Sequence, residues 1–381
     1  MSTATVPTPS VARRRPTVRR KRLVFLTITF HPEPGALRGL PLAQRLVESG
    51  DYDVTVITAF PWYPLGRIYD GYRQRPWARE TMHGVRVIRV PIYPSHDLSA
   101  LHRIATYVSF MLSALVFGMP LSGPADVVYH ADNLPTTGLV ALLYGKLRGA
   151  AVVQHIADMW PESVTGSGML PRGPVGAVVG RVLRVACDFV YRRNDRLTVL
   201  SPGFKRLCVE RGVPAEKVDV LYNWAEENRF FPVPRNEAVA ARLGFTGKFN
   251  VVYAGNVGPL QALEVVVHAA ARLRDLPHVQ LSIIGTGPRL DAVRELARSL
   301  GVTNVNFVDR IPVDEMNVVN AASDVLLVHL ADAPFLHSTI PSKVQVALAS
   351  ARPVLLGVRG DAADLVREAE AGLTFTPEDA E

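Results

Sequence analysis

The residues best placed to do chemistry lie where apolar runs give way to glycine. Gly255-Asn256-Val257-Gly258 follows the run Asn250–Tyr253, and Gly285-Thr286-Gly287 follows Gln280–Ile284; each precedes a stretch of helical periodicity. Glycine at a strand-to-helix turn lets backbone N–H groups close on a phosphate, and the helix N-terminus adds about half a positive charge. The same residues also suit a tight turn that needs positive φ. A dinucleotide fingerprint is not supported, because Leu290 stands where the third glycine would fall. Ile340-Pro341-Ser342-Lys343 opens another helical stretch. Pro341 fits a first turn and Ser342 offers a capping hydroxyl. A cation at a helix N-terminus opposes the dipole, so the favoured reading of Lys343 sets an anion between the two.

His155-Ile156-Ala157-Asp158 closes another apolar run. Placed at the end of a strand, His155 and Asp158 could position a hydroxyl or hydrogen-bond a reacting phosphate or sugar; His155 could equally be a satisfied structural residue. The long loop from Ala59 mixes rings and guanidinium groups at Trp62, Tyr63, Arg67, Tyr72, Arg73, Arg75, Trp77 and Arg79. That mixture suits a membrane interface, with rings at headgroup depth and arginine on phosphate, or else a packed loop. From Ile104 to Ala125 there is no charged residue. The length would span a bilayer. Pro120, Gly123 and Pro124 break its second half, so Leu101–Phe117 reads as one apolar helix, buried or dipping into one leaflet.

The elements that must hold these residues alternate. Strands are predicted at Leu23–Phe30, Asp53–Thr58, Val85–Val90, Ala125–Tyr129, Ala151–His155, Arg196–Leu200 and Val218–Tyr222, with helices between most of them. Asn223–Arg235 breaks the periodicity with two prolines and Phe230-Phe231, and a second α/β series then runs to the end. Parallel sheets covered on both faces follow. The expected division is a basic tail over 1–22, one doubly wound domain over 23–224, a linker over 225–245 and a second such domain over 246–381. Ligands of open α/β sheets lie outside the carboxyl ends of the strands, so the site is expected in a cleft between the domains.

Composition narrows the partners. The net charge of +7 is carried by Arg13, Arg14, Arg15, Arg19, Arg20, Lys21 and Arg22, which leaves the remaining chain formally neutral. A basic arm of this kind suits an anionic membrane, and no nucleic-acid partner is expected. No apolar leader follows the arginines. Cys187 and Cys208 lack metal-ligand spacing and fit a reducing compartment, so the expected location is cytoplasmic, at the inner face of the plasma membrane.

Taken together, His31-Pro-Glu-Pro-Gly35, His155-Ile-Ala-Asp158-Met-Trp-Pro-Glu162, Ala254-Gly-Asn-Val-Gly258, Gly285-Thr-Gly287 and Ile340-Pro-Ser-Lys343 resemble the family 4 retaining glycosyltransferases of GT-B fold. Tyr63–Tyr72 and Pro91–Asp97 are most similar to the bacterial transferases of O-antigen and colanic-acid assembly, including the N-acetylfucosamine transferase type. The resemblance covers residues 23–381. It implies two Rossmann-like domains, no obligatory metal, and a UDP-sugar co-substrate carrying an N-acetylated or deoxy sugar. It further implies a polyprenyl-diphosphate-linked acceptor and peripheral membrane association. Carried over residue by residue, it gives donor binding to Gly35, Gly255, Asn256, Gly258, Gly285, Gly287, Ser342, Lys343 and Gln345, and catalysis to His155, Asp158 and Lys343. Acceptor or membrane contact falls to Trp62, Tyr63, Arg67, Tyr72 and Arg73.

Three departures accompany the likeness. The family's acidic pair would fall near Ser338 and Val346, where Gln345 could substitute. The lysine of the first glycine loop would fall at or next to Leu260, and the helices that usually follow residue 381 are expected but not in the sequence. A nucleotide-sugar epimerase of the same fold, or a truncated relic that binds nucleotide or membrane without turnover, are the competing readings.

Overall fold

The computed structural model describes residues 19–34, 38–97, 99–166 and 173–381. Eight strands form the first sheet: β1 (Lys21–Leu26), β2 (Tyr52–Ala59), β3 (Ala78–Met82), β4 (Val85–Val90), β5 (Val127–His130), β6 (Ala151–Ile156), β7 (Arg196–Val199) and β8 (Val218–Val220). Their order is β3-β4-β2-β1-β5-β6-β7-β8. Six strands form the second: β9 (Phe249–Ala254), β10 (Val279–Ile284), β11 (Val305–Val308), β12 (Val325–His329), β13 (Val354–Gly357) and β14 (Gly372–Thr374), in the order β11-β10-β9-β12-β13-β14. The chain divides into two compact units, Met1–Val153 and Gln154–Glu381, with the division inside β6.

Every pairing in the second sheet is parallel. Its strands are apolar on both faces, as parallel strands between two helix layers must be. Val251 and Tyr253 turn to the layer with helices Glu264–Arg272 and Leu290–Ser299, while Val252 turns to the layer with Met316–Ala322, Ser342–Ala349 and Asp361–Glu368. Counting from β9, the order is 3-2-1-4-5-6. The chain reverses direction across the sheet between β9 and β12, and a doubly wound sheet opens a ligand crevice at such a point.

In the first unit, Leu23 and Phe25 of β1, Val54 and Val56 of β2 and Val85 and Val87 of β4 pack with Ala43 of helix Leu40–Glu48. The pairings β1/β2, β1/β5 and β2/β4 are parallel. β3 pairs antiparallel with β4, Glu80 facing Val87, and this strand was not expected. Ala-Arg-Glu-Thr-Met carries no apolar run, because an edge strand needs only one sheltered side.

The apolar segment forms a helix over Ala100–Ser113, passes through a π turn at Ala114–Gly118 and ends with Met119–Ser122. Pro120 therefore does not end it where expected; the π turn already interrupts the helical ladder just before the residue that lacks an N–H. Thr106, Phe110, Ala114, Gly118 and Ser122, four residues apart, are buried. Gly118 is required there, since a Cβ would come 2.6 Å from Ile57 Cγ2. The opposite face carries exposed Leu101, Ile104, Leu112 and Val116, so the helix is half buried.

Candidate functional site

At the crevice of the second sheet the two glycine loops interlock. Gly255 N donates to Ile284 O (2.9 Å) and Val257 N to Thr286 O (2.9 Å). Gly255 and Gly285 have φ of +148° and +139°, and a Cβ on Gly285 would lie 2.0 Å from Gly255 O. On Gly287 it would meet Val257 O at 2.2 Å, and on Gly258 the Asn256 amide at 2.7 Å. The loops need glycine for each other as well as for a ligand. Asn256 is exposed and its amide donates to Gln261 Oε1 (3.2 Å), while Tyr253 Oη donates to Asn256 O (2.6 Å).

Lys343 stands beside them. Its Nζ lies 5.0 Å from the centre of the Tyr253 ring, and a Cβ on Gly255 would touch its Cε at 2.6 Å. Burial pushes its ammonium below the usual lysine range. No carboxylate offsets that loss: among the described residues Lys343 has neither an ion pair nor a hydrogen bond, only the ring face. Arg310, beyond β11, is likewise without an acidic partner, and with Gly255, Asn256, Gly285 and Thr286 it lines a cavity of about 400 Å³. An adjoining pocket of about 140 Å³ holds Ser342 and Lys343. Two cations over glycine loops, without anions of their own, can take a phosphate.

Ser342 does not cap its helix. The helix starts at Ser342 itself, after Pro341, and no side-chain cap bond is made, so the hydroxyl is exposed and free for other use. Gln345 is buried, and with its amide turned to donate it reaches Pro341 O at 2.9 Å and Ser342 O at 3.3 Å. It holds the turn that presents Lys343. Gly35 lies outside the described residues.

The histidine expected at the site is buried. His155 is 1% exposed and its Nδ1 lies 2.8 Å from Thr198 Oγ1 on β7. It belongs to β6, which continues one residue further to Ile156. Asp158, two residues past the strand, is exposed. Beside it Glu162 pairs with Arg211, whose Nη1 also donates to Trp160 O (2.7 Å). Cys187 and Cys208 pack there, burial pushing both thiols up to about 12.

Three residues escaped sequence reasoning because long-range partners define them. His329, at the end of β12, is buried; its Nδ1 lies 2.8 Å from Gln261 O and its Nε2 accepts from Glu378 N at 3.0 Å. Those partners assign a neutral ring protonated on Nδ1, and burial holds its pKa low. Its place at the crevice fixes the turn after the first glycine loop. In the first unit, Glu33 accepts from Phe30 N (2.9 Å), Trp62 N (2.8 Å) and Tyr63 N (2.8 Å). Burial pushes its carboxyl up, while those donors pull it down. Asp132 accepts from Ile28 N (2.7 Å) and Thr27 Oγ1 (3.1 Å), and burial raises it to about 6.

The long loop of the first unit has two characters. Phe60 and Trp62 are buried, so Trp62 packs inside and cannot meet a membrane. Tyr63 stacks edge-on with His96 at 4.9 Å, and Arg67 pairs with Asp70 at 3.0 Å. Tyr72 lies under the guanidinium of fully buried Arg89 at 5.0 Å. Arg73 and the residues after it are exposed.

A family model for glycosyl transferase 4-like domains matches residues 36–224, and one for group 1 glycosyl transferases matches 248–381. WcaI of Escherichia coli (strain K12), a glycosyl transferase named for colanic acid biosynthesis, is 30% identical over 314 residues, covering 78% of this chain and 73% of WcaI. The glycosyltransferase WbjE of Pseudomonas aeruginosa is 29% identical over 252 residues, 64% of this chain and 61% of its own. Among solved structures, Anabaena Alr3699/HepE in complex with UDP and glucose superposes with a TM-score of 0.64 at 17% identity, covering 95% of this chain and 87% of that one. WaaG, a glycosyltransferase involved in lipopolysaccharide biosynthesis, gives 0.62 at 17% identity over 93% and 86%. These two likenesses concern the fold, paired parallel α/β sheets. With the sequence match to WcaI, they show that the chain belongs to the family 4 glycosyltransferases of GT-B fold.

Proposed function

We propose that this transferase takes an N-acetylated or deoxy sugar from a UDP-sugar and places it, with retention of configuration, on a polyprenyl-diphosphate-linked saccharide in surface polysaccharide synthesis. The observation that carries the reading is Lys343: an ammonium partly stripped of water, without a counter-ion, against Gly255. A diphosphate there would supply the missing anion, and Lys343 would also stabilise it as it leaves the sugar. Gly287 would close on the phosphates by backbone N–H, while Gly255 and Gly285, whose own N–H groups are held by Ile284 O and Val308 O, would leave room for them. Asn256, Ser342 and Arg310 would border the donor, and Gln345 would hold the helix start. Asp158 is the exposed group on its segment and would meet a sugar hydroxyl; His155 would act behind it as a positioning residue.

The colanic-acid association of WcaI and the UDP bound to HepE support the nucleotide and pathway assigned here. Calorimetric titration with UDP and then GDP tests the donor. Saturable UDP binding at least about tenfold tighter than GDP is expected. Equal affinity for both would overturn the uridine assignment, and binding of neither would overturn the donor site.

A further inference from the structure

Outside the donor site, the exposed half of the long loop gathers arginines around a hollow. Tyr72, Arg73, Arg75, Trp77, Arg79 and Glu80 border a hollow of about 470 Å³. Glu80 is committed to buried Arg89 at 2.9 Å. Arg73, Arg75 and Arg79 have no ion pair and no hydrogen bond among the described residues. Three exposed guanidinium groups therefore share one concave surface whose sole carboxylate is already neutralised. Such a surface attracts anions, and the guanidinium fork matches phosphate oxygens.

What lies next to the hollow identifies the anion. The Trp77 ring, 47% exposed, lies 6.1 Å from the Phe117 ring of helix 100–122. The outward face of that helix is the apolar stripe Leu101, Ile104, Leu112 and Val116. Trp77 thus bridges a cationic hollow and an apolar ridge. A free phosphate would use the first and ignore the second, whereas a phospholipid has a group for each: phosphate for arginine, acyl chain for the ridge, and the interfacial layer for tryptophan.

We propose that the Arg73, Arg75 and Arg79 hollow and the outer stripe of helix 100–122 form one membrane-contact surface that seats anionic phospholipid headgroups. The helix lies flat and does not span. Its other face is fixed to the sheet through Phe110, Ala114 and Gly118, and withdrawal into a bilayer would tear Gly118 from Ile57. This inference deepens the membrane-acceptor reading above by naming the surface that reaches the lipid.

The test uses the full chain with sedimenting vesicles of phosphatidylcholine alone or mixed in equal parts with phosphatidylglycerol. Three forms are compared: unaltered, Arg73→Gln/Arg75→Gln/Arg79→Gln, and Leu112→Gln/Val116→Gln. The unaltered chain is expected to bind the mixed vesicles, and the arginine variant at least about tenfold less. The second variant should lose binding to both vesicle types. Trp77 should report insertion by a blue shift that Trp77→Phe removes.

Undiminished binding by the arginine variant would overturn the proposal. So would displacement of the vesicles by millimolar inorganic phosphate, which would mark a free-phosphate site. A dimer in solution that Leu112→Gln/Val116→Gln dissociates would assign the ridge to a second copy and overturn it as well. UDP affinity, measured on the same samples, is expected to be unchanged in all three forms. Loss of UDP binding in the unaltered chain would sink the donor assignment and leave this one standing.

Discussion

The carboxyl ends of the strands are furnished in opposite ways in the two units. In Met1–Val153 the charges there are satisfied from within. Glu33 holds three backbone N–H groups, Asp132 holds Ile28 N, and Arg89 is spent on Glu80, His31 O (2.5 Å) and Ala59 O (3.3 Å). In Gln154–Glu381, Lys343 and Arg310 face a cavity with no anion of their own. Buried charge with partners fixes loops; the Lys343 ammonium, partly buried without one, is strain that a ligand would relieve. The first arrangement is scaffold, and the second is one that an anion would complete.

The comparison breaks most violently at the glycine loops. Gly285→Ala drives a Cβ into Gly255 O and is expected to cost about 4 kcal/mol or more, or to prevent folding, as read by urea denaturation. Glu33→Ala strands three N–H donors and should cost about 3–5 kcal/mol while leaving UDP affinity intact; Glu33→Gln, which keeps an acceptor, should lose less than half of that. Lys343→Ala is the mirror case. Affinity for UDP should fall about 10- to 100-fold, with thermal stability unchanged or raised because an uncompensated ammonium has gone. If Lys343→Ala destabilised the fold and spared UDP, the contrast between scaffold and site would be reversed.

The smallest effects are in pH. Asp132, raised to about 6 from near 4, binds its proton more tightly when folded, so its contribution to stability is present at low pH and is lost as pH rises from about 4 to 6. His329 is held below its ordinary 6.5, so its contribution is present above that pH and is lost as pH falls. Denaturation midpoints across pH 4 to 7 should therefore show Asp132→Asn removing a decline on the alkaline side and His329→Gln removing one on the acid side. Matching slopes in the two variants would contradict the opposite furnishing of the units.

Much of this was legible in the sequence, for identifiable reasons. Runs such as Asn250–Tyr253 before glycine announce strand, turn and helix together, so the alternation and the Lys343 helix were readable from local pattern. The strand expected to end at His155 runs one residue further, to Ile156, which leaves His155 inside β6 and buried. Ser342 resembled a cap because the preceding proline was assigned to the helix, whereas the helix begins after it. Glu33, Asp132 and His329 gave no signal of their own, since partners on other segments define them. Nor did periodicity alone show that helix 100–122 buries one apolar face and exposes another equally apolar one.

The interlocking of the glycine loops reaches into the protein's evolutionary freedom. Gly285 and Gly287 are filled from behind by the backbone of Gly255 and Val257, so neither glycine can take a side chain unless the facing loop moves. The glycines of one loop are thus tied to those of the other, whereas exposed Asn256 and Thr286 are not. Diversification toward new donor sugars is thereby channelled to positions free to vary alone, such as Arg310, Ile311, Val313 and Met316 on the far wall of the cavity. Descendants of this sequence should keep one phosphate cradle and rewrite its opposite rim.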